Sequence, residues 1–358
     1  MLIRADANSV IGTGHVMRCL ALAQAWQDAG GKVAFATTDL PESLIQRLWT
    51  ERCDVHRFES APVSSREAND IQETLRIANV VRPQWLVLDG YDLGPSYQLA
   101  LRDSRWRLMS IDDDWRHERY HVDLLLNQNA GATSALYASR KVSGRLLLGC
   151  QYALLRREFR KQLQPEPRGG GRTIAKFLIT LGGADQKNDT SRLIRICRGC
   201  LPADCEIHVL VGPANPHVHS LRETCEKLAQ LSRERGEKMP QVVLHVAPPD
   251  VRTIMAACDL ALTAAGSSVY ELGFLGIPML LVVTAENQRA IAAALDSMGA
   301  AVWIDESSVH TARGVMSVIS AAVQNPTILS QCAKRFQALV DGQGAARVVA
   351  ALRGEGEA

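Results

Sequence analysis

Met1-Leu2-Ile3-Arg4-Ala5-Asp6 and, four residues on, Ile11-Gly12-Thr13-Gly14-His15-Val16-Met17-Arg18 open the chain. The first stretch reads as a short apolar strand, and the second as a glycine loop running into an apolar-periodic helix. Glycines let the backbone approach a ligand closely, and the first helical N–H groups point outward unpaired, so this loop suits an anion. His15 falls at the helix start. The partial positive charge there disfavours an imidazolium and favours a neutral ring, which suits a general base. Arg18, three residues on, shares a helix face with it. The third glycine of the dinucleotide fingerprint is missing, since Arg18 follows Met17 where small residues are expected, and this argues against a nicotinamide site. A plain tight turn and a histidine that merely caps its helix are the alternatives.

Outward from this unit, strand and helix patterns alternate. Strands are expected over 32–37, 85–88, 107–111, 123–126 and 145–148, with a helix over 65–81 whose apolar returns are Ile71, Leu75 and Ala78. Trp85-Leu86-Val87-Leu88 is a continuous apolar run of the kind buried in parallel sheets. Polar groups follow the strands: Asp6, Asp89, Tyr91, Asp112 and Asn127. Ligands of open α/β sheets bind beyond the carboxyl ends of strands, which predicts a shared crevice. Gln164-Pro165-Glu166-Pro167-Arg168-Gly169-Gly170-Gly171 reads as a linker. The alternation then restarts, with strands over 176–181, 206–211, 241–246, 259–263, 279–283 and 301–304 and closing helices over 309–323 and 326–352. Two α/β halves, 1–163 and 172–325, predict two Rossmann-like domains facing a cleft.

The 358 residues suit two domains of about 150 each. An apolar fraction of 47%, a charged fraction of 22% and a net charge of +2 give no reason to expect nucleic acid or an anionic membrane as partner. No signal-like segment opens the chain, and no apolar run approaches the ~20 residues that span a bilayer. A cytoplasmic monomer without stable membrane association is expected. Nine cysteines are scattered along it, as in a protein with reduced, buried thiols. Cys197-Arg198-Gly199-Cys200 lacks the second pair of ligands that zinc needs and sits late in a helical pattern, so it reads as structural. His217 and His219 are two apart and diverge on a helix.

The second half carries the stronger phosphate signal. Gly266-Ser267-Ser268 lies between strand and helix and offers backbone N–H groups, two hydroxyls and a positive helix end together. Glu271, on the first turn, suits vicinal ribose hydroxyls. A capping box, with Ser268 as cap and Glu271 at the third helical position, accounts for the same pair. Gly182-Gly183 follows the first strand of this half, and Asn188-Asp189 caps the next helix. Asp112-Asp113-Asp114 contains an Asp-x-Asp pattern, read here as a solvated strand end and not as a metal site.

Asp6, Ile11-Gly12-Thr13-Gly14-His15, Arg18, Asp89-Gly90-Tyr91, Gly182-Gly183-Ala184-Asp185, Ala265-Gly266-Ser267-Ser268, Glu271 and Asn287-Gln288 occur in this order. Together they resemble the UDP-sugar hydrolases of pseudaminic acid biosynthesis, which release UDP from UDP-2,4-diacetamido-2,4,6-trideoxy-β-L-altropyranose. That family is similar to the two-domain glycosyltransferases of the B fold, among them the lipid II-forming N-acetylglucosaminyltransferase. The resemblance implies a catalytic His15 that activates water and a Tyr91 beside the sugar. It implies diphosphate at Gly266, Ser267 and Ser268, ribose at Glu271, and Asn287 and Gln288 near the nucleotide-sugar. Asp6, Gly14, Arg18 and Gly183 are its further substrate contacts, Asp6 also as a group that positions His15. It implies a UDP-binding second domain and a segment 326–358 packing back on the first domain; catalysis without metal is expected from the lack of a persuasive ligand cluster, and no cofactor is expected. A glycosyltransferase using a UDP-sugar donor is the alternative on the same scaffold.

Overall fold

A computed structural model describes residues 1–160 and 174–355. The expected linker at 164–171 lies outside the described residues. The first unit comprises 1–8, 13–160 and 342–355 of these, and the second 9–12 and 174–341.

In the first unit the strands are β1 (Leu2–Ala5), β2 (Ala34–Thr37), β3 (Asp54–Arg57), β4 (Trp85–Asp89), β5 (Arg107–Ile111), β6 (Arg119–Tyr120), β7 (Leu124–Asn127), β8 (Lys141–Val142) and β9 (Arg145–Leu148). Seven of them form one parallel sheet in the order β3-β2-β1-β4-β5-β7-β9, while β6 and β8 pair apart from it. β1 and β4 are buried along their whole length. Their continuous apolar runs follow from this, because helices cover both faces of the sheet. One core holds Ile3, Val87, Leu124 and the helix Gly14–Asp28; the other holds Leu2, Leu86, Tyr97 and Trp106 on the opposite face.

The second unit repeats the plan with β10 (Lys176–Thr180), β11 (Glu206–Val211), β12 (Gln241–Val246), β13 (Leu260–Ala264), β14 (Met279–Val282) and β15 (Val302–Trp303). These strands are parallel in the order β12-β11-β10-β13-β14-β15. Among the described residues no helix is long and apolar enough to cross a membrane.

Two elements were not anticipated, and one expectation needs correction. The strand β3 and the helix Glu42–Thr50 carry no strong signal: β3 reads Asp-Val-His-Arg and is an edge strand exposed at both ends. The closing segment is not one body. Pro326–Leu339 belongs to the second unit, where Phe336 meets Tyr270 edge-on and fills the space a side chain at Gly273 would need. Only Gly344–Arg353, after a left-handed Gly342, packs on the first unit. Ala345, Val348, Val349 and Leu352 complete its core, and Trp85 Nε1 donates to the Leu352 carbonyl at 2.8 Å. Gly344 is dictated by this packing, since a Cβ there would lie 2.3 Å from the Ala153 carbonyl oxygen. The part of the segment that joins the first unit therefore begins at Gly342, not at Pro326.

Candidate active site

The first sheet changes direction between β1 and β4: successive strands run outward from β1 on one side and from β4 on the other. The chains leaving these two strands diverge, and the crevice between them is where open α/β sheets bind ligands. Both sequences that end there carry polar groups. β1 leads through Asp6 to His15 on the first turn of the helix Gly14–Asp28, and β4 ends in Asp89, followed by Gly90 and Tyr91. Register places Asp89 beside Ala5 on one side and Ile111 on the other, so Asp6 and Asp112 follow at neighbouring strand ends.

Asp89 is the centre of the arrangement. Its side chain is fully buried, and its Oδ1 lies 2.6 Å from His15 Nδ1. Arg18 grips it with both arms of its guanidinium fork, Nη2 to Oδ1 at 2.6 Å and Nε to Oδ2 at 2.7 Å, and Cys19 Sγ reaches Oδ2 at 3.3 Å. Arg18 Nη1 continues to Asp113 Oδ1 at 2.6 Å, and Asn129 Nδ2 supports that carboxylate at 3.0 Å. Burial by itself would raise the Asp89 carboxyl, but Arg18 and His15 outweigh it and hold the group well below the usual carboxylate range. An ionised carboxylate only accepts. Facing that carboxylate at 2.6 Å, His15 Nδ1 is placed as a donor, with Arg18 Nη2 3.1 Å from the same nitrogen, and in a neutral ring of this tautomer Nε2 is the acceptor. This is the orienting logic of a catalytic base held by a buried acid.

Tyr91 stands against the imidazole edge-to-face, ring centroids 4.8 Å apart, and the Arg116 guanidinium covers the other part of the phenol ring at 4.9 Å. Burial and the nearby Asp113 push the Tyr91 phenol above its ordinary value, so it stays a donor. His15, Asp89, Tyr91, Asp112, Arg116 and His117 are among the residues lining one recess.

The site corrects two readings of the sequence. Asp6 does not position His15: it accepts from Thr37 Oγ1 at 2.8 Å and from Thr38 N at 2.7 Å, and pairs with Arg4 at 2.7 Å. The group that orients the histidine is Asp89. Arg18, expected to contact substrate, lines the same recess, is buried and is engaged by the carboxylates of Asp89 and Asp113. The stretch 112–114 is not a solvated strand end: Asp112 is buried on two tyrosines, Asp113 is held by Arg18, and Asp114 pairs with Arg116. The signal for Asp89 was available in the polar residue closing a buried apolar run. Its partnership with a residue 74 positions away was not.

The second sheet also changes direction, between β10 and β13. Gly182 and Gly183 follow the first of these strands, and Gly266-Ser267-Ser268 the second. Gly182 is left-handed, and a Cβ at Gly212, after β11, would lie 2.7 Å from the Gly183 Cα, so the loops touch backbone to backbone. Ser267 precedes the helix Ser268–Phe274 without a side-chain capping bond, and Glu271 lies on the first turn, half-buried. The helix thus begins one residue earlier than the alternative capping box assumed, with Ser267 and not Ser268 at the cap position. Gln288 Oε1 is fixed by Thr284 N at 2.9 Å and Oγ1 at 3.1 Å, which turns Nε2 toward Gly266, within 3.9 Å of where its Cβ would be. Asn287 is half-buried in the short turn Glu286–Gln288. The helix after β10 is capped by Asp185, which accepts from Asp189 N at 2.9 Å and Thr190 N at 3.0 Å; the expected cap at Asn188-Asp189 is corrected accordingly. Cys197 is buried in the core of this unit, and burial pushes its thiol far above its ordinary value, as suits a packing residue.

Two parallel sheets of this topology, each reversing its strand order next to its first strand, define the glycosyltransferase B class of fold. Acinetobacter baumannii MurG shares it with a TM-score of 0.64 at 15% identity, over 99% of each chain. A putative UDP-N-acetylglucosamine 2-epimerase from Listeria monocytogenes matches with a TM-score of 0.69 at 14% identity, over 99% of this chain and 95% of that one. In sequence the chain is similar to the UDP-2,4-diacetamido-2,4,6-trideoxy-β-L-altropyranose hydrolase of Campylobacter jejuni. The two are 25% identical over 301 residues, 84% of this chain and 97% of the hydrolase. The likeness drawn from the ordered motifs is thus a likeness of most of the chain. No family model matches it.

Proposed function

We propose that the protein hydrolyses a UDP-linked 2,4-diacetamido-2,4,6-trideoxy sugar, the altropyranose of the similar hydrolase, to the free sugar and UDP. The observation that carries this reading is the bond from His15 Nδ1 to the ionised Asp89, because it leaves Nε2 as a fixed proton acceptor. Nε2 takes a proton from water as its oxygen attacks the anomeric carbon. The C–O bond to UDP breaks on the opposite face, and the electron pair leaves with the β-phosphate. Tyr91, a retained donor beside His15, orients the water or the sugar. The second unit takes the nucleotide: N–H groups and hydroxyls of Gly266, Ser267 and Ser268 neutralise the leaving diphosphate, and Glu271 takes the ribose. The test is hydrolysis of the purified UDP-sugar in H₂¹⁸O. The label is expected at the anomeric oxygen of the sugar and absent from UDP; label in UDP, or transfer to an added sugar or lipid acceptor in place of water, would reject the reading.

Two further outcomes follow from the same reading. Glu271→Ala weakens UDP binding by roughly 1–3 kcal/mol, the usual loss for a hydrogen bond to a charged group. Titration calorimetry with UDP measures it, and an unchanged dissociation constant would leave Glu271 as a helix residue only. Turnover also survives excess EDTA, because the three carboxylates of 112–114 already hold tyrosines or arginines. Loss of activity that magnesium or manganese restores would return that stretch to the mechanism.

A further inference from the structure

The recess at His15 contains a carboxylate that the reaction above does not use. Asp112 follows β5, is 8% exposed, and receives three hydrogen bonds, all on one oxygen. Oδ2 accepts from Tyr137 Oη at 2.6 Å, from Tyr120 Oη at 3.0 Å and from the Trp115 backbone N–H at 3.1 Å. Asn127 Nδ2 donates to the Tyr137 oxygen at 2.9 Å and so fixes that phenol in turn. Among the described residues Oδ1 has no hydrogen-bond or ion-pair partner.

Neither neighbouring arginine bonds it: Arg18 is held by Asp89 and Asp113, and Arg116 by Asp114, although Arg116 and His117 feel its charge. Burial raises the Asp112 carboxyl, against the pull of the two phenols. Three donors and a supporting amide orient the side chain so that the other oxygen stays open to solvent, and a ligand that covered it without supplying a donor would bury it unpaired at a cost. A site built in this way rejects a ligand that fails to supply the missing donor, because the acceptor is then buried unpaired.

We propose that Asp112 Oδ1 reads the sugar, accepting a neutral N–H or O–H carried on its ring, and is a specificity-determining residue of this site. The inference rests on the reading of the recess as one for the sugar of a UDP-sugar. Free 2,4-diacetamido-2,4,6-trideoxy-L-altropyranose and, separately, UDP are titrated calorimetrically into the wild type and into Asp112→Asn. The amide oxygen of Asn keeps the three donors, while its NH₂ presents a donor where an acceptor stood. The sugar dissociation constant rises about 10- to 100-fold, and that of UDP stays unchanged.

A second measurement needs no variant. Of the 2-acetoxy, 4-acetoxy and 3-deoxy forms of the sugar, the one lacking the donor read by Asp112 binds the wild type more weakly by a similar factor. Asp112→Asn binds that form as well as it binds the parent sugar. No binding of the parent sugar to the wild type, or a dissociation constant in Asp112→Asn within twofold of the wild type, overturns the proposal. Wild-type turnover of the UDP-sugar reports on the hydrolase reading separately. Hydrolysis with unchanged sugar affinity in the variant sinks Asp112 alone, whereas a shifted sugar affinity without hydrolysis keeps Asp112 as a sugar contact and sinks the hydrolase.

Discussion

His15→Ala slows release of UDP from the UDP-sugar by about 10²- to 10⁴-fold, the contribution of a positioned general base, and leaves the affinity for UDP unchanged. The division follows from where the groups sit. His15 belongs to the first unit, on the turn after β1, while the loops assigned to the nucleotide are all in the second. The imidazole is also a packing group, 5% exposed and set edge-to-face against Tyr91, so truncation lowers the melting temperature too. The two effects separate in steady-state kinetics on the folded fraction, with circular dichroism as the check on folding. A purely structural histidine gives a less stable protein whose folded fraction turns over at the wild-type rate, and that result would remove the base from the mechanism.

Asp89→Asn is expected to fail in two ways at once. If the amide oxygen faces His15 and Arg18 Nη2, the NH₂ group meets Arg18 Nε and Cys19, donor against donor, at positions now bonded at 2.7 and 3.3 Å. If the amide turns over, its NH₂ donates to His15 Nδ1, the ring proton moves to Nε2, and the base is lost. Either way the buried Arg18 charge loses its principal partner. Removing one member of a buried pair costs about 3–5 kcal/mol, and loss of the correct tautomer costs about 10²- to 10⁴-fold in turnover. Urea unfolding and kcat on the remaining folded protein measure the two losses independently. A variant with wild-type stability would show that the Asp89–Arg18–His15 cluster does not hold the unit together.

The same carboxylate sets a direction for acid stability. Its folded value lies below the ordinary 3.8, so its stabilising contribution is complete above that pH and is lost as the pH falls further toward the folded value. Wild-type melting temperatures therefore decline more steeply below about pH 4 than those of Asp89→Asn, which has no proton to take up at this position.

How much of this was legible in the sequence differs element by element. Trp85-Leu86-Val87-Leu88 announced a buried parallel strand because a run apolar on both faces has few other uses, and β4 lies where it was expected. β3 was invisible for the converse reason: an edge strand with one apolar residue in four carries no pattern that outweighs a loop. The glycine loops were legible as loops, but their closeness was not, since a backbone contact such as Gly212 on Gly183 leaves no mark except the absence of a side chain.

The sequence by itself determined the two parallel α/β units, the strand ends at which their polar residues gather, and His15 as a histidine on a helix start. Periodicity and glycine placement are local properties of the chain, and they are enough for that. Only the tertiary structure decided what His15 is bonded to. Asp89, not Asp6, takes its Nδ1, because register brings the end of β4 beside the end of β1 and the helix after β1 turns its first residues over that junction. Only the fold, likewise, turned Arg18 inward and gathered three donors on one oxygen of Asp112 while the other stayed open. A carboxylate's chemistry is set by which donors and charges surround it, and those come from strands far apart in the chain.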